Sequence, residues 1–218
     1  MNKKEFIYKD LKRKIIELKI KSHDVLKEEE LAEKYKVSRT PVREALQLLE
    51  REGFLIKVKK VGFILRPLTK KDFKEIVEIR SILESYAAKL ATLNQSKNII
   101  ERLKNINEKS KKYIEKNDIE KFFKSNSEFH NLIYKSSRNE RLIGLINNIY
   151  DSFTRYRMML IRISNIPEKS YNDHKMMIKS MEAGDADYVE KLVKEHILEG
   201  GKILLDNLER DDLGIIQI

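Results

Sequence analysis

Three of the four histidines fall where a helical period places core residues rather than surface ones. Phe122, Asn126, Phe129, His130 and Ile133 share one helix face. His174 heads a stripe of Met177, Ile178 and Met181, and His196 lies in line with Val189, Leu192, Val193 and Ile203. One such histidine is usually a hydrogen-bonded core residue. Three of them each need a polar partner, and a shared divalent cation would serve all three. Their imidazole nitrogens, with the side-chain oxygen of Asn126, suit Zn, Ni or another borderline ion and leave a position for water or a ligand. Arg80 lies on the stripe Phe73, Ile76, Val77, Glu84 and Ala87. Pointing inward, its guanidinium can clamp a carboxylate. An Arg80–Glu84 pair on the surface fits the same spacing, which does not choose between them.

A second constellation lies nearer the N-terminus, in Val37-Ser38-Arg39-Thr40-Pro41-Val42-Arg43-Glu44-Ala45-Leu46. Ser38 is a good helix N-cap, and Pro41 falls in the first turn, where a missing N–H costs nothing. Val42, Ala45, Leu46 and Leu49 form the core-facing stripe, which leaves Arg39, Arg43 and Gln47 outside, four residues apart. Arg pairs bidentately with guanine, and Gln with adenine, in the major groove. Two arginines alone could equally mark a solvated face, so the flanking segments decide. Before them come an amphipathic helix over Lys4–Lys19, a break at Ser22-His23-Asp24, and a helix from about Lys27 to Tyr35. Only Lys36-Val37 then separates that helix from Ser38, as a helix-turn-helix requires. After Gly53, the runs 54–58 and 61–65 flank Lys59-Lys60 and predict a hairpin wing whose lysines reach phosphate or the minor groove.

The totals agree with this division. Residues 1–68 carry 18 Lys and Arg against 11 Asp and Glu, whereas residues 69–218 carry 27 against 24. The positive excess therefore concentrates where a polyanion would bind. No cysteine is present, which excludes disulfides and thiolate metal sites and fits a cytoplasmic protein. No run approaches the roughly 18 apolar residues of a membrane span, and the first residues lack the apolar core of a secretory signal. At the junction Arg66-Pro67-Leu68-Thr69, Pro67 disfavours helix, and Thr69 can cap the next helix with Asp72 three residues on. Beyond it no strand pattern occurs. Helices are expected over 70–93, 96–116, 118–137, 139–164, 170–183 and 185–208, with a break at Ile166-Pro167. The expected fold is mainly α: a winged helix-turn-helix with a small hairpin in 1–68, then an all-α six-helix bundle in 69–218.

The stretch LAEKYKVSRTPVREALQLLEREGFL, followed by VGF, resembles the winged-helix domain of GntR-family transcription regulators over about residues 5–66. The resemblance implies DNA contacts by Arg39 and Arg43 and by the wing tip at Lys59 and Lys60; Thr40 and Gln47, on the same helix, are expected to join them. Two positions depart from the pattern. Ser22-His23-Asp24 replaces a glycine usual before the second helix, and Glu29 stands where some relatives place a DNA-contacting arginine. EIRSILE, SEFHNLIYKSSRNERLI and DHKMMIKSMEAGDADYVEKLVKEH resemble the all-helical FCD effector domain of the FadR subfamily, in its six-helix form. That resemblance implies a metal held by His130, His174 and His196, with Asn126 at a position usually occupied by Asp. It also implies a small organic acid as effector, with Arg80 in the cavity.

The expected protein is a homodimeric, ligand-responsive repressor that reads an inverted repeat in double-stranded DNA. A small carboxylate, bound through the metal and Arg80, would act through the short junction. A regulator that senses the metal without an organic effector is the alternative. A third possibility is a metal-dependent hydrolase, since three histidines with an open position also suit catalysis. Against it, no carboxylate stands one turn from a histidine on the same buried face, and Asn126 cannot act as general base.

Overall fold

A computed structural model describes residues 2–21, 24–67 and 69–209. The expected break at Ser22-His23 and residue Leu68 of the junction lie outside them.

The front part is α1 (Lys3–Ile16), β1 (Val25–Leu26), α2 (Glu28–Tyr35), α3 (Arg39–Arg51), β2 (Leu55–Val58) and β3 (Gly62–Leu65). Its core joins Ile7, Leu11 and Ile15 of α1 to Leu31 of α2, Val42, Leu46 and Leu49 of α3, and Leu55 and Phe63 of the sheet. β2 and β3 form the expected hairpin, with Ile56 opposite Ile64. The bond from Val61 N to Val58 O closes the turn at 3.1 Å, with Lys60 in a left-handed conformation. The sheet has a third strand that the sequence reading did not contain. β1 pairs antiparallel with β3, giving the order β1-β3-β2. Two residues are too few to show a period.

Ser38 occupies the N-cap of α3 in an extended conformation, but its side chain makes no capping bond. One of its two usual donors is missing. A capping oxygen takes the N–H of the second or third helical residue, and the third is Pro41, which has none. Thr69 does cap: its Oγ1 accepts from Asp72 N at 3.0 Å.

Among the described residues six helices follow: α4 (Lys70–Leu93), α5 (Lys97–Glu115), α6 (Ile119–Ser136), α7 (Glu140–Leu160), α8 (Ile166–Glu182) and α9 (Ala186–Glu209). The expected break at Ile166-Pro167 is instead the beginning of α8, because proline is tolerated in a first turn. α7 correspondingly ends at Leu160 rather than near 164. Their shared core runs from Phe73 and Val77 on α4, through Phe129 and Ile133 on α6 and Phe153 on α7, to Met177 on α8 and Val193 and Leu204 on α9. α4 and α9 approach closely at Gly201, where an added Cβ would lie 2.7 Å from Val77 Cγ1. A glycine inside a helix costs up to about 1 kcal/mol relative to alanine, and here the interhelical contact requires it. The two large cores fall on either side of residues 66–72, joined by the short junction.

Candidate functional site

α6, α8 and α9 each bring one histidine to a common point. His130, His174 and His196 each offer a ring nitrogen, and these atoms lie within 4.8 Å of one another. His130 and His174 are buried, and His174 stacks on Phe129 with centroids 3.9 Å apart. His196 is less enclosed. Its Nδ1 lies 2.8 Å from Asp173 Oδ2, which leaves Nε2 as its ligand atom. A carboxylate behind an imidazole is a common way to fix the tautomer and orientation of a metal ligand. Burial pushes the Asp173 carboxyl up, but the His196 hydrogen bond and the Lys169 charge outweigh it and hold it below its usual range.

The expected fourth ligand is engaged elsewhere. Asn126 Oδ1 accepts from an Arg157 terminal nitrogen at 2.5 Å, while its Nδ2 donates to Ser170 Oγ at 3.0 Å. Arg80 is buried, as an inward guanidinium should be, and it also makes the i, i+4 pair. Its Nε donates to Glu84 Oε1 at 2.5 Å. The two alternatives left open by spacing are thus combined in one buried ion pair. Tyr134 OH closes the group by donating to Glu84 Oε2. The Arg80 guanidinium also lies over the Phe153 ring, 3.9 Å from its centroid.

Arg80, Asn126, His130, Arg157, Asp173 and His196 all line a cavity of about 60 Å³, enough for several waters or a small guest. Gly200 and Gly201 of α9 line it too, with no side chain to fill it. Arg157, Asp173 and Ser170 were not singled out in the sequence. Arg157 carried a usable signal, because it follows Phe153 by four residues on the α7 apolar stripe, as Arg80 does on α4. Asp173 carried none, because its partner His196 belongs to another helix.

Burial holds the His130 and His174 imidazoles well below their usual range, and neighbouring positive groups add to this. An unfolded histidine titrates near 6.5. Above that pH both states are neutral and the two groups do not affect stability. Below it only the unfolded chain takes up protons. Stability of metal-free protein should therefore fall with acid by about 1.4 kcal/mol per pH unit per histidine, down to the folded-state pKa. Urea midpoints between pH 7.5 and 5.5 measure this, and a flat profile would contradict two buried neutral imidazoles.

In the front part, Arg39, Thr40, Arg43 and Gln47 are exposed on α3, and Lys59 and Lys60 are exposed at the hairpin turn. Arg39 pairs with Glu29 at 2.8 Å and Arg43 with Glu28 at 2.9 Å. Among the described residues, no helix is long and apolar enough to cross a membrane.

Residues 3–65 match the gntR family of bacterial regulatory proteins, and residues 75–199 match the FCD domain. A probable D-xylose utilization operon transcriptional repressor of Paenarthrobacter nicotinovorans is 30% identical over 79% of this chain and 75% of its own length. The gluconate operon transcriptional repressor of Bacillus licheniformis is 27% identical over 86% of this chain and 79% of its own. The solved structure of E. coli McbR/YncC superposes with a TM-score of 0.80 at 24% identity, over 95% of this chain and 99% of that one. The first two relatives are named as operon repressors, not hydrolases. With α3 and the hairpin exposed in the front part and a cavity inside the helical bundle, the chain belongs to the GntR family, carries an FCD domain, and is a DNA-binding transcription regulator rather than an enzyme.

Proposed function

We propose that the chain is a ligand-responsive repressor whose chamber takes a divalent cation such as Zn or Ni together with a small carboxylate. The observation that carries this is the meeting of three imidazoles from three helices, two of which, His130 and His196, line one cavity with Arg80 and Arg157. His130, His174 and His196 would hold the cation, which would supply a Lewis-acidic centre for an anionic guest. Asn126 would reach the cation only by exchanging its bond to Arg157, so its present role is to position that guanidinium. Arg80 would meet the carboxylate beside the cation. The relatives named as operon repressors support the direction of regulation.

Dialysis against a chelator, return of Zn or Ni, and gel shifts with and without a panel of small carboxylates test the reading together. Operator affinity should respond to an acid only when metal is present. If metal alone changes affinity to the full extent, the metal-sensing alternative holds. If neither changes it, the chamber is not a sensor.

Arg39, Thr40, Arg43 and Gln47 would read the major groove, with Lys59 and Lys60 on the backbone or minor groove. Two copies would read an inverted repeat. α4 offers a face for pairing, since Ile79, Ile82, Tyr86 and Leu93 are exposed at i, i+3, i+7 and i+14. Ile82, at 61% exposure, is the place to test it. Ile82→Glu should convert a dimer into a species near the 25.9 kDa chain mass in sedimentation. An unchanged dimer would place the interface on another face.

A further inference from the structure

The last turns of α7 present two faces with different neighbours. Phe153, Arg157, Leu160 and Ile161 line the chamber, at i, i+4, i+7 and i+8. Between and just beyond them, three side chains reach the other way, two to backbone carbonyls at the edge of the reading head and one to the N-cap of α4. An Arg155 terminal nitrogen donates to Arg66 O at 2.8 Å, and Tyr156 OH donates to Thr69 O at 3.1 Å. Arg162, one residue past the C-cap, donates to Glu17 O at 3.1 Å. Glu17 follows α1 and Arg66 follows β3, so the head is held at both of its ends. A small apolar cluster lies between the grips, where Met158 and Ile161 with Phe122 pack on Ile16 and Leu18.

Arg155 is expensive where it stands. It is only 5% exposed, and its Nε has no hydrogen-bond partner. Burial pushes its guanidinium down to about 10. A buried, incompletely satisfied cation is weak evidence for stability, because an apolar side chain of similar volume often does as well or better. What Arg155 supplies that an apolar residue would not is a directed bond to the junction.

We propose that Arg155 and Arg162 are positioning residues for DNA binding, fixing the angle of the head on the bundle and so the spacing of half-sites that the molecule accepts. This rests on the homodimer reading above. A dimer with clamped heads presents its two recognition helices at one separation, and half-sites lie about one helical turn or a multiple apart. When one head has docked, the second binds at an effective concentration set by the stiffness of the connection. Loosening the grip leaves each head able to read its half-site but dilutes that advantage. The chamber residues lie on the same turns of α7, so a guest there bears directly on the grip.

The test compares wild type with Arg155→Met, which keeps an unbranched apolar stem, though a shorter one, and removes the donors, Arg162→Ala, the double variant, and Arg155→Lys. The probes are a duplex selected by the wild-type protein from random-sequence DNA, one half of it, and versions with one or two base pairs inserted or removed at the centre. Sedimentation and thermal melting are run beside the binding assays. Arg162 is exposed, so its variant reports on the grip even if the Arg155 substitution disturbs folding. The double variant should remain dimeric and keep half-site affinity within about twofold. It should lose about tenfold on the full duplex and respond less to spacer length, with Arg155→Lys recovering part of both. A wild-type dimer with a clear spacing preference that the variants share in full overturns the positioning role. Equal losses on half and full duplex overturn it too. A wild-type monomer overturns the dimer reading first, and the spacing role with it.

Discussion

Replacing Arg39 and Arg43 together by alanine should lower operator affinity on the order of 10²–10⁴-fold and abolish preference for the selected sequence. Each bidentate guanine contact is worth about 1–3 kcal/mol, and the two side chains stand one turn apart on the exposed face of α3. Their present partners do not change this estimate much. The Arg39–Glu29 and Arg43–Glu28 pairs are exposed on the arginine side, and such pairs contribute at most about 1 kcal/mol, so DNA can exchange for them at little cost. Lys59→Ala with Lys60→Ala should behave differently. Binding should weaken about equally on all sequences, and the dependence on salt should become shallower by roughly two charges. Anisotropy titrations on selected and scrambled duplexes at several salt concentrations separate the two patterns. Sequence preference that survives loss of both arginines would remove Arg39 and Arg43 as the readers.

His174→Ala should cost on the order of 10²-fold or more in affinity for Zn or Ni, measured by competition with a chromogenic chelator. The prediction follows from ligand number, since a three-imidazole site that loses one donor keeps only two. Because His174 is 1% exposed and stacked on Phe129, its removal also leaves a void and lowers stability. His196→Ala, at a less enclosed position, is the companion that separates lost coordination from lost packing. Asp173→Asn should cost about 10–100-fold, the range for a residue that orients a ligand from behind. Asn126→Asp tests the remaining position. It supplies a carboxylate where the neutral amide now accepts from Arg157, and metal affinity should rise if that oxygen can turn to the histidines. If all of these variants bind metal as wild type does, the histidine cluster is a packed polar core and the sensing proposal fails.

Much of this molecule was legible in one chain. The helix-turn-helix spacing, the hairpin and the six bundle helices follow from periods and end signals that act over a few residues. The same holds for the inward setting of the three histidines, whereas spacing left Arg80 open between an inward position and a surface pair with Glu84. Departures arose where local signals compete. Pro167 reads as a break until its place in a first turn is known, and Ser38 reads as a cap until Pro41 is seen to remove one of its two usual donors. β1 was missed because two residues pair only by virtue of β3, which comes 36 residues after it.

What the sequence by itself determined is which side chains face inward, because burial of a stripe depends on spacing along one helix. Only the tertiary structure decided what those side chains meet. Asp173 behind His196, Arg157 on Asn126, and Arg155 on the Arg66 carbonyl each join different elements. Rotation and offset of packed helices set such contacts, and neither can be read from the period of one helix.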